Sequence, residues 1–161
     1  MLRQALATAV TFLSLSHMAS GAIVFLSNCH QDYYSGQYQW SEMDYFTNTP
    51  PTASYPDGKK PESKTPSIEA KGPNTGGRDD RVHWEGRKTC GKFSDTTFCA
   101  TIAADAGGKS KGTYVGSGSN GFGTKFDCYS EGGERYVYAI NPPDATGLTS
   151  SCYAIYYCST K

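Results

Sequence analysis

The sequence predicts an α+β domain: a small, disulfide-stapled antiparallel β-sheet (a meander) with one short helix, an all-β sandwich or barrel being the alternative. Three observations predict it. The cysteines Cys29, Cys90, Cys99, Cys128, Cys152 and Cys158 all follow what reads as an export signal, and an even count in that context implies a cross-linked extracellular fold. Strand-like runs between residues 113 and 158 are separated by glycine-, serine- and proline-rich breaks. Ahead of them, Ser94 and Asp95 offer an N-cap, Phe98 and Ile102 fall on one helical face, and Gly107-Gly108 supplies a stop.

Taken in order, residues 1–22 have the layout of a signal peptide. Arg3 gives a positive start, Ala5 to Leu15 an apolar stretch, and Ser20-Gly21-Ala22 a small-residue cleavage site. Its removal leaves residues 23–161 as a single secreted domain. No later apolar run approaches the ~20 residues that span a bilayer, so no membrane span is expected. The hydrophobic share is 37%, much of it tyrosine, which limits the core and makes the cross-links matter. Formal charge is zero overall, so no global field draws the chain to nucleic acid. The stretch from Lys59 to Lys92 is locally basic, which reads as a solvated face or a contact for polyanions.

Ile23 to Leu26 reads as a buried strand and Tyr38-Gln39-Trp40 as another. Between about 47 and 80, Pro50, Pro51, Pro56, Pro61, Pro66 and Pro73 alternate with Lys, Ser, Thr and Gly. That composition predicts an exposed, mobile, protease-sensitive loop. Val82 and Trp84 alternate with charged neighbours, as in a half-buried strand. The helix of 94–106 comes next, although Phe98, Ala100 and Ile102 also alternate as a strand would. Thr113 to Val115, Phe122 to Tyr129, Arg135 to Ile140 and Ser151 to Cys158 are the strands of the meander. Turns are expected at 116–121, at Glu131-Gly132-Gly133 and at Asn141-Pro142-Pro143-Asp144.

If 152–158 is one strand, its ends lie about 20 Å apart at ~3.3 Å per residue, beyond the ~7 Å reach of a disulfide. Cys152 and Cys158 therefore bond to two different elements. Alternation places both on one face together with Ala154. Cys29 must pair across the loop, pinning the N-terminal stretch to the rest.

The sharpest polar pattern is Arg81-Val82-His83-Trp84-Glu85-Gly86-Arg87. In a strand, Arg81, His83, Glu85 and Arg87 share one face. A histidine and a carboxylate can act as general acid and base, and guanidiniums can hold a phosphate, which is the toolkit for cleaving RNA. The same residues also suit an exposed strand face with ordinary charge pairing. The aromatic cluster Tyr33, Tyr34, Tyr38 and Trp40, with Tyr34, Tyr38 and Trp40 as the binding candidates, suits stacking on sugar rings, anchoring a protein partner, facing the core, or covering a disulfide. His30 and His83 have no metal-ligand spacing, so neither a metal nor a cofactor is expected.

Two resemblances follow. Gly133-Glu134-Arg135-Tyr136-Val137-Tyr138 resembles the strand of the secreted guanyl-specific ribonucleases of fungi that carries a catalytic arginine, which implies Arg135 as its counterpart. That family's scaffold has one helix ahead of an antiparallel sheet. Its second catalytic histidine has no counterpart here, because no histidine follows His83. The signal, the cysteines, the Gly/Tyr/Ser-rich body and the closing Cys152-Tyr-Ala-Ile-Tyr-Tyr-Cys158 resemble the small cysteine-rich secreted proteins of filamentous fungi. That likeness implies a monomeric, non-enzymatic, effector-like protein acting on a host or a competing organism. Its partner would be a protein or a cell-wall glycan; nucleic acid would be the partner under the ribonuclease reading only.

Overall fold

The computed structural model describes residues 21–33, 36–47, 61–66, 68, 80–139 and 150–160. They form β1 (Ile23–Tyr33), β2 (Gly36–Phe46), β3 (Ser63–Lys64), β4 (Arg87–Lys92), β5 (Thr97–Ile102), β6 (Tyr114–Asn120), β7 (Lys125–Ala139) and β8 (Ser150–Ser159). All pair antiparallel in one 8-stranded sheet of order β3-β2-β1-β8-β7-β6-β5-β4, curled into half a barrel. The α+β expectation is therefore corrected to all-β, the class held as the alternative: the described residues contain no helix. β4 to β8 run as a meander, and the β1–β2 hairpin docks beside β8.

The helix expected over 94–106 is a hairpin instead. Pairing runs from Lys92↔Thr97 to Arg87↔Ile102, and the Phe93 amide closes the turn by donating to the Thr96 carbonyl at 2.8 Å. Phe98, Ala100 and Ile102 are all buried on one side of β5, so period-two alternation prevails over a four-residue coincidence. Cys90 and Cys99 sit opposite each other in this hairpin and are bonded. Ala103 to Lys109 form successive turns.

Two expected turns are strand. Residues 116–120 belong to β6 because its glycines permit close approach, not reversal. A Cβ at Gly116 would lie 2.1 Å from the Thr101 carbonyl oxygen, and one at Gly118 2.5 Å from the Phe98 ring. Gly116→Ala should therefore lower stability by about 1–3 kcal/mol, as overpacking does. Gly107→Ala, where a Cβ meets nothing within 4 Å, should not, and urea melts of the two variants check this. Glu131-Gly132-Gly133 likewise lies inside β7, where the register to β8 slips between Ser130 and Arg135. Gly132 has φ 75°, so the chain bulges there and continues. The turn expected at 141–144 lies outside the described residues.

Part of the stretch read as a loop is ordered. Ser63 and Lys64 pair with Tyr45 and Asp44, Thr65 is buried, and Ile68 exchanges backbone hydrogen bonds with Ser41. Thr65 succeeds there because its Oγ1 accepts from the Met43 amide at 3.0 Å.

Side chains from the two faces of β1 and β2 enter two separate cores. Val24, Leu26, Met43 and Tyr45 meet Trp84, Phe98, Ile102, Phe126 and Tyr156 inside the curl. Ile23, Phe25, Trp40 and Phe46 lie on the opposite side with Val137, Tyr138 and the Cys29–Cys152 bridge. Each buried Phe or Leu contributes about 1.5–3 kcal/mol.

The third bridge is Cys128–Cys158, so β8 is tied to β1 by one end and to β7 by the other, as the strand-length argument required. One detail of that argument is corrected. Leu26 pairs with Tyr156 but Ser27 with Ala154, leaving Ile155 as an extra residue. A one-residue bulge inverts the alternation. Cys152 and Ala154 consequently face one core, while Tyr156 and Cys158 face the other.

Candidate functional site

The Arg81–Arg87 segment keeps its alternation without being a strand. Val82 and Trp84 are buried and His83 and Arg87 exposed, yet only Glu85 makes a bridge, to Ile102, before β4 begins at Arg87. Side-chain hydrogen bonds hold the segment instead. The Val82 amide donates to Ser41 Oγ at 3.0 Å and Trp84 Nε1 to Asn28 Oδ1 at 3.2 Å.

His83 and Glu85 do meet, with Nδ1 and Oε2 2.9 Å apart. Glu85 also accepts from the Tyr156 hydroxyl, and Arg87 Nε donates to the His83 carbonyl at 2.6 Å. Burial, and then the bonded Glu85, raise the Tyr156 pKa, so its proton stays on oxygen. Arg135 is engaged elsewhere: its guanidinium lies 3.3 Å from Glu131, a buried carboxylate that Lys111 also reaches at 3.0 Å. The candidate acid and base thus meet each other, while the arginine is held in a separate contact with Glu131.

Of the aromatic cluster, Tyr34 lies outside the described residues. Tyr38 and Trp40 stack at 5.6 Å and 24°. Trp40 is only 7% exposed and donates from Nε1 to Glu42 Oε2 at 3.0 Å, so it belongs to an internal cluster.

That cluster escaped the sequence reading. Glu42 accepts from Trp40, from Lys64 Nζ at 3.0 Å and from the Tyr138 hydroxyl. Beside it, Asp44 Oδ2 accepts from Ser27 Oγ at 2.6 Å, while no donor reaches Oδ1. Burial raises the Asp44 pKa well above the ordinary carboxylate value, and the neighbouring Glu42 adds to the shift against smaller opposing effects of Ser27 and Lys64. A side-chain hydrogen bond with Glu42 works in the same direction. The alternation Trp40-Ser41-Glu42-Met43-Asp44 resembles a half-solvated strand; nothing local reveals that both faces of β2 are covered. Cys29, Cys152 and Glu42 offer atoms within 4.8 Å of one another. The two sulfurs are bonded to each other and Glu42 is fully engaged, so they are no metal-ligand set.

An open polar cleft of about 260 Å³ lies where β1, β2, β7 and β8 converge below the segment at Arg81. Asn28, His30, Gln39, Arg81, Glu134 and Tyr153 line it. Asn28 and Tyr153 are register partners, and the next pair along the two strands is the bonded Cys29–Cys152. The His30 and Tyr153 rings stack at 5.6 Å and 10°, and Tyr136, 39% exposed, abuts Tyr153 edge-on at 5.8 Å. Arg81 was legible as a binding candidate. The others come from distant parts of the chain and converge only through strand pairing.

No protein-family model, curated protein or solved structure matches this chain. No described helix is long and apolar enough to cross a membrane.

Proposed function

We propose that this chain is a secreted, non-enzymatic interaction protein, effector-like in action, that works on a host or a competing organism by binding. The observation that carries this reading is the engagement of Glu85 and Arg135. Glu85 is bonded by Tyr156 and His83, and Arg135 is paired with Glu131, so the groups an RNA-cleaving centre would use already hold structure together. The register-paired disulfides suit an oxidising exterior, where such bonds persist. They also fix the strands rigidly, and a preorganised surface loses less entropy when it binds.

The reading is tested by infiltrating purified oxidised protein into host tissue beside a reduced and alkylated sample. A response from the oxidised form alone is expected. Equal responses would place the activity in a linear peptide and overturn the proposal. Cleavage of RNA by the same preparation, abolished by His83→Ala, would overturn it in favour of the ribonuclease reading.

A further inference from the structure

We infer that the cleft lined by Asn28, His30, Gln39, Arg81, Glu134 and Tyr153 binds an uncharged sugar unit of a glycan; this deepens the interaction-protein reading and rests on it. Charge selects the ligand class. A phosphate or sulfate attracted by Arg81 meets the Glu134 carboxylate, and a cation drawn to Glu134 meets the Arg81 guanidinium. A neutral polyol finds donors at Arg81 and acceptors at Glu134, because each hydroxyl can both accept and donate.

The amides complete that set. Asn28 Oδ1 already accepts from Ser41 Oγ at 2.8 Å and from Trp84 Nε1 at 3.2 Å. Its NH₂ is therefore the end left for a ligand, while Gln39 brings an amide that both donates and accepts. His30 and Tyr153 stack on each other and Tyr136 abuts Tyr153 edge-on, and the lining they help to support is almost wholly polar, as suits a hydroxyl-rich ligand. At about 260 Å³, the cleft falls below the ~300–1,000 Å³ that holds drug-sized ligands. It suits a single unit at the end or side of a chain. The Cys29–Cys152 bridge locks together the strands that carry Asn28, His30 and Tyr153, so the site exists before the ligand arrives.

Titration calorimetry with chitotetraose, laminaritetraose and mannotetraose, and with inorganic phosphate as the anion probe, decides the matter. At least one oligosaccharide should bind, and Glu134→Ala should weaken it by about tenfold, the loss of one charge-assisted hydrogen bond. His30→Ala should weaken it as well. Glu134 is exposed, so its variant should melt with the wild type. Failure of all three sugars to bind, binding of phosphate in their place, or undiminished affinity in both variants overturns the assignment. The tissue assay separates the two readings: a response from wild type without sugar binding sinks the cleft alone, whereas sugar binding without a response sinks only the effector reading.

Discussion

Replacing Cys29 and Cys152 together by alanine is expected to remove about 5 kcal/mol of stability, against ~3.6 for the Cys128–Cys158 pair and ~2.6 for Cys90–Cys99. The order follows from the chain each bridge closes. The separations are 123, 30 and 9 residues, and longer loops lose more unfolded-state entropy when closed. A domain of this size has a net stability of roughly 5–15 kcal/mol, so the first variant should be near its unfolding threshold. Its β1–β2 hairpin joins the β4–β8 meander by strand pairing at β8, and the missing bond is the covalent tie across that seam. Urea titrations of the three double variants test the order. A Cys29/Cys152 variant more stable than the Cys90/Cys99 variant would show that chain entropy does not govern these bridges.

Asp44→Asn is expected to raise stability at neutral pH and to flatten its pH dependence. Asp44 is fully buried beside Glu42, with Ser27, Lys64 and Tyr138 also in the cluster, and its folded pKa is raised chiefly by desolvation. The sign follows from proton counting. Below the unfolded value of about 3.9, both states hold the proton and the residue contributes no pH dependence. As pH rises, the unfolded chain releases the proton first while the folded chain keeps it. Stability therefore falls by about 1.4 kcal/mol per pH unit until the raised folded pKa is passed. Asparagine keeps the shape of the neutral acid and has no proton to lose. Urea unfolding of both proteins from pH 4 to pH 8 should give diverging curves. Parallel curves would mean that Asp44 ionises inside the fold at an ordinary pH.

How much of this was legible varied from residue to residue. Val82 and Trp84 were assigned to the buried side of their segment correctly, because alternate side chains diverge even where the backbone forms no ladder. The strand β5 reads as part of a helix over 94–106 because Phe98 and Ile102 satisfy both periods. Only the pairing partner, β4, discriminates between them. Glycines at 116 and 118 read as a turn because composition alone does not distinguish a glycine that reverses the chain from one that admits a neighbouring strand. In the candidate site, Arg81 stood out by its charge. His30, Gln39, Glu134 and Tyr153 gave no local signal, since each is unremarkable until β1, β2, β7 and β8 are set side by side.

From its order of residues alone, this chain specified strands with two-residue periodicity and a last strand whose cysteines must reach two different partners. Those properties depend on distances along the backbone and on the alternation of side chains, both of which are local. Which face each residue occupies was decided only by tertiary pairing. A single extra residue at Ile155 turns Cys158 and Cys152 toward opposite cores, and covering the second face of β2 converts Glu42 and Asp44 from apparent surface charges into a buried pair. Register and coverage are set by strands more than a hundred residues apart, and no short window of sequence contains both partners.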